Sequence, residues 1–70
     1  MRKTGFKDST GKDIYEGDVL DLGKKGFERC KVVWEDNVNE FWLRFEQTGS
    51  TFWDGYLDEY KSNIAKVVAN

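Results

Sequence analysis

The chain has 70 residues, with 11 basic and 13 acidic side chains, a formal charge of −2, a single Cys, no His and no Pro. One small domain is the only reasonable count at this length; the lone Cys30 excludes an internal disulfide, and the lack of His removes the usual zinc sets. No apolar run approaches the roughly 20 residues of a membrane helix, no basic and apolar leader precedes Thr4, and the acidic balance makes the whole molecule a poor electrostatic match for DNA. A soluble protein of a reducing, cytoplasmic compartment is expected. Its core must rest on a few large groups, and three Trp, three Tyr and five Phe supply them, each able to bury about 150–250 Å².

Residues 1–17 are polar and turn-rich, and Gly5 and Gly11 bracket "FKDST"; they read as an ordered but irregular lead. From Asp18 the pattern changes to strands, and 18–53 reads as a β-meander. "DVLDL" sets Leu20 and Leu22 against Asp21, the period of a half-buried strand. "GKKG", Gly23 to Gly26, turns the chain into "FERCKVVWE", where Cys30, Val32 and Trp34 share the expected core face and Phe27, Arg29, Lys31 and Val33 the other. After the turn "DNVN", Phe41, Leu43 and Phe45 alternate with Trp42 and Arg44, and Thr51 to Trp53 adds a short strand. Asp54 is placed to cap a brief helix over 54–61, with Tyr56, Leu57 and Tyr60 on one side. A final strand over 63–69 is anchored by Ile64, Val67 and Val68. The expected architecture is a single domain over 1–70, mainly β (α+β by content), with about five short antiparallel strands curled into an SH3-like or related pseudo-barrel and one short capping helix.

No set of residues specifies a reaction. Cys30 has no His partner and falls on the core face, where a lone Cys is a small buried hydrophobe. Glu35 with Asp36, and Asp58 with Glu59, are adjacent pairs whose side chains point apart. "GKKG" lacks the spacing of a phosphate loop. The reading therefore has no catalytic residue, no metal site and no cofactor.

One surface is a candidate for binding. Arg29, Lys31 and Val33 lie beside Trp42 and Arg44 if the two central strands pair across "DNVN". That set suits a protein partner, since Trp and Arg dominate interface hot spots. It also suits single-stranded nucleic acid, by stacking on Trp42 and tracking phosphates with Arg44, Arg29 and Lys31; the acidic total charge disfavours this reading. The bland alternative buries Trp42 as a second half of the core with Arg44 covering it. Self-association through an uncovered sheet edge is a further reading.

The string "TGFKDSTGKDIYEGDVL" closely resembles a segment of the YopX-like proteins, small proteins of phages and prophages of bacteria, and corresponds to their C-terminal portion. The matching positions are Thr4, Gly5, Lys7, Asp8, Gly11, Lys12, Ile14, Tyr15, Glu16, Gly17 and Asp18, and "VVWED" with the aromatic strand after it suits the family's middle section. Two departures stand out: the upstream segment usual in that family is reduced to Met1 to Lys3, and its usual ending is represented by "AKVVAN". The resemblance implies a β-rich fold and a mobile-element origin, and brings no established catalysis. Physically, Gly17 suits a tight turn, Asp18 is placed to accept backbone N–H groups as the first strand begins, and Ile14 and Tyr15 are expected to pin the lead onto the core. Asp8, Glu16 and Asp18 are too sparse for a calcium cage. The expected function is a non-catalytic module that binds a host or phage protein.

Overall fold

A computed structural model describes residues 2–70 of the chain. The lead is more regular than its composition suggests. Thr4 and Phe6 turn inward between exposed Lys3, Gly5 and Lys7 along β1 (Lys3–Lys7), which runs antiparallel to β2 (Asp13–Tyr15). This hairpin corrects the irregular reading of 1–17. Its alternation is real but is carried by Thr, Gly and Phe among lysines, so the usual branched apolar signal of a strand is missing.

Five further strands, β3 (Val19–Asp21), β4 (Cys30–Glu35), β5 (Glu40–Phe45), β6 (Thr51–Tyr56) and β7 (Lys66–Ala69), form one antiparallel sheet in the order β6-β5-β4-β3-β7. A single short helix, α1 (Glu59–Ile64), carries the chain from the β6 edge across to β7. Among the described residues the fold is thus mainly β with one short helix, as expected, but with seven strands in two sheets where about five were foreseen. β6 and β7 are the two edges of this sheet and no ladder joins them, so the sheet is open and not a closed barrel.

The core lies between the inner face of the larger sheet, the hairpin and the helix. Cys30 and Val32 of β4 and Leu43 of β5 point inward beside Leu20 of β3, all fully buried, and Ile14, Leu22, Leu57 and Ala65 complete the cluster. Phe27, Phe45 and Phe52 pack along its edge with ring centroids 5.0–5.3 Å apart. Trp34, at the far end of β4, is half-buried against Phe41, and the Arg2 guanidinium lies 4.4 Å over its ring.

Several placements differ from the sequence reading. Phe27 does not share an outer face with Arg29, Lys31 and Val33, because β4 begins only at Cys30; the preceding loop bends Phe27 onto the core. The helix does not start at Asp54. β6 continues through Tyr56, and Asp58 caps α1 by accepting the Lys61 N–H at 2.8 Å. Ile64 therefore ends the helix and cannot be in phase with Val68, which is exposed; Ala65 and Val67 do the anchoring. Of the Ile14–Tyr15 pair only Ile14 is buried, because adjacent strand residues face opposite ways and Tyr15 turns to solvent.

Candidate functional site

The motif residues come together as a clasp between the lead and the rest of the domain. Asp8 is only 5% exposed, and its carboxylate accepts four hydrogen bonds. Oδ1 takes the Thr10 N–H, the Thr10 hydroxyl and the Lys12 N–H at 2.7–2.9 Å, and Oδ2 takes the Val67 N–H of β7 at 3.0 Å. Burial pushes this carboxyl up, but the donors, Val67 foremost, outweigh that and hold it at about 2. Ser9 N–H adds a bond to the Ala65 carbonyl at 2.8 Å. Thr4 Oγ1 donates to the Ile14 carbonyl at 2.8 Å across the hairpin. Asp18, also buried, accepts the Tyr15 N–H at 2.9 Å, while Gly17, at a left-handed φ of 95°, donates to the Val32 carbonyl at 2.8 Å. Glu16 contributes its backbone N–H, bonded to the Arg2 carbonyl at 2.7 Å. These groups are spent on holding the chain together.

The predicted binding face is also assembled. Lys31 stands opposite Arg44 and Val33 opposite Trp42 in the β4–β5 ladder, with Arg29 just before β4. Its guanidinium groups are occupied, however. Arg29 is paired with Glu46, whose carboxyl it holds below the ordinary range, and Arg44 bonds Glu35 at 2.7 Å and the Gly49 carbonyl at 3.0 Å. Among the described residues, only Lys31 of the three cations lacks an ion pair. Trp42 is half-buried, packed edge-on against Tyr56 at 6.1 Å, and its indole N–H is buried without a partner.

A second surface was missed in the sequence. β6 bulges as it pairs with β5: Thr51 faces Arg44 and Tyr56 faces Trp42, leaving four residues of β6 against one of β5. Gly55 is buried in this bulge, where a Cβ would meet the Phe52 carbonyl at 2.9 Å and the Leu43 carbonyl at 3.2 Å. The bulge throws Trp53 outward to 92% exposure. Beside it, a groove of about 450 Å³ runs between β6, α1 and the β3–β4 loop, floored by Phe27, Phe52 and Ile64. Tyr56 and Tyr60, 41% and 65% exposed, line the same groove, and the Lys61 ammonium sits 4.1 Å over the Tyr56 ring and 3.6 Å from Asp58. The signal available in the sequence was "FWDGY" itself: three aromatics around a glycine, too irregular for an ordinary strand and too β-prone for a helix start.

A larger depression of about 620 Å³ lies between the β3–β4 and β5–β6 loops, but its main charges, Arg29 and Glu46, satisfy each other. Cys30 offers little chemistry: burial, with Asp21 and Glu28 adding to it, pushes its thiol up to about 11. Among the described residues no three His, Cys, Asp or Glu side chains converge as metal ligands, and no helix is long and apolar enough to cross a membrane.

The fold and these surfaces define a small, mainly β domain whose amino-terminal motif serves as a structural clasp and whose aromatic surface lies at one sheet edge. The chain belongs to the YopX protein family, which matches residues 1–67. No curated protein sequence matches it.

Proposed function

We propose that this chain is a non-catalytic protein-interaction module of a phage or prophage, working in the cytoplasm of its bacterial host, and that its partner docks on the aromatic groove beside β6. The observation that carries this reading is Trp53, 92% exposed on a bulge and next to exposed Tyr56 and Tyr60. Large aromatics are normally buried, and clustered exposed ones mark interaction surfaces. Trp and Tyr are also the residues that dominate binding energy at interfaces. The face of Arg29, Lys31, Val33, Trp42 and Arg44 is the less favourable site, because both guanidiniums are already paired and Trp42 is half covered. The same pairing weakens the nucleic-acid reading, which needs free cations along a phosphate track. Non-catalytic action is supported by the thiol and carboxylates best placed for chemistry being buried or committed to structural hydrogen bonds.

The test is capture from a nuclease-treated bacterial lysate with wild-type, Trp53→Ala and Trp42→Ala baits. The expected outcome is a protein band that Trp53→Ala loses and Trp42→Ala keeps. Bands retained equally by all three baits would sink the groove as the docking site.

A further inference from the structure

Resting on the reading of the groove as a protein-docking site, we infer that its occupant is an uncharged, proline-rich segment of another chain, bound as a polyproline II helix. Three observations select this chemistry. The groove is lined by two lysines, Lys24 and Lys61, and two aspartates, Asp54 and Asp58. It is therefore neutral as a whole, with Lys61 and Asp58 already paired at 3.6 Å. A neutral lining does not favour a phosphate backbone or a strongly acidic or basic peptide, and it complements an uncharged one.

Beside the Asp54 carboxylate, the groove also presents several uncharged side-chain donors. Of the three indoles, Trp34 donates to Asp36 at 2.6 Å and Trp42 is buried, whereas Trp53 presents its N–H to solvent. Tyr56 and Tyr60 bring two phenol hydroxyls to the same surface. A polyproline II segment displays carbonyls that have no internal partner, and proline has no N–H that would require an acceptor. Aromatic grooves with a few such donors suit it, and its backbone is ordered before it binds.

An added β-strand is the obvious competitor, since β6 is a sheet edge. The bulge between Thr51 and Tyr56 argues against it: a displaced backbone cannot template a continuous ladder.

The experiment is an NMR titration of the ¹⁵N-labelled protein, following backbone amides and the three indole N–H signals. The probes are a neutral synthetic proline-rich peptide, a matched peptide with its prolines replaced by glycine and serine, a strand-forming Val/Thr peptide, and oligothymidylate. Saturable shifts are expected at the Trp53 indole and the Tyr56 and Tyr60 amides with the proline-rich peptide. Binding should be at least about tenfold tighter than for the glycine and serine control and should be lost in Trp53→Ala, a variant that folds because its side chain packs on little. Three outcomes overturn the inference: equal binding of the two matched peptides, preferential binding of the strand-former with shifts along β6, or preferential binding of oligothymidylate. No binding by any peptide, with Trp53-dependent capture from lysate intact, removes the proline-rich occupant and leaves the docking site. Loss of both removes both.

Discussion

Replacing Asp8 by Ala is expected to be among the most damaging single changes in the domain, although Asp8 belongs to a polar stretch near the amino terminus. Its carboxylate accepts the Thr10 hydroxyl and the N–H groups of Thr10, Lys12 and Val67 while only 5% exposed. Hydrogen bonds to a charged group contribute about 1.5–3 kcal/mol, and each buried donor stranded by the change costs about 1–3 kcal/mol. Turn donors can rotate to water, so the dominant loss is the Val67 N–H with its long-range tie to β7; a cost of about 3 kcal/mol follows. For a domain of this size that is a fall in Tm of roughly 12–24 °C. The effect has a pH signature. The carboxyl is held at about 2 in the folded state against 3.8 ordinarily, so its contribution is complete above pH 3.8 and is lost as pH falls from there towards 2. Thermal denaturation followed by circular dichroism, at pH 7 and then at steps down to pH 2, measures both. The gap between wild type and Asp8→Ala should be widest at neutral pH and close in acid. A variant within about 0.5 kcal/mol of wild type at pH 7, the spread of ordinary surface substitutions, would refute the clasp.

Gly55→Ala should destabilise by about 1–3 kcal/mol in urea denaturation, because the added methyl meets the Phe52 carbonyl at 2.9 Å and backbone on that side has little room to yield. Trp53→Ala should leave stability within about 0.5 kcal/mol of wild type, whereas Leu43→Ala, fully buried in β5, should cost about 2–5 kcal/mol; a large loss from the first would mean that Trp53 is structural. Cys30 should resist a thiol reagent at pH 8 in the native protein and react at once in denaturant, since its thiol is buried and pushed up to about 11; rapid native labelling would contradict its placement.

The central hairpin was legible because its signals agree. β4 and β5 alternate cleanly, a polar turn separates them, and the ladder pairs Val32 with Leu43 and Lys31 with Arg44 as the periodicity implies. The binding face read from them is assembled as the pattern says, yet its arginines turned out to be engaged with Glu35 and Glu46, which lie 9 and 17 residues away in sequence. No local pattern reports such a pairing. The lead hairpin was hidden for a different reason: its stability comes from the Asp8 and Thr4 side chains bonding backbone rather than from a run of strand-forming residues. Around "FWDGYLDEY" two caps compete. Asp54 and Asp58 are both good N-cap residues, and the choice of Asp58 follows from packing, since β6 needs Gly55 and Tyr56 to complete its pairing with β5. The exposure of Trp53 depends on that same bulge and is invisible to any rule that assigns large aromatics to the interior.

The tie between Asp8 and Val67 also orders events during synthesis. A ribosome releases the amino-terminal turn first, but the acceptors and donors that complete it, the Ala65 carbonyl and the Val67 N–H, emerge almost 60 residues later. β3 likewise waits for β7, its neighbour on the side away from β4. The nascent chain therefore holds its motif incomplete until β7 has emerged, and the domain closes only when that strand is free to dock. Because the Asp8–Val67 bond joins positions 59 residues apart, the entropy of closing that loop is met before the bond can reward it.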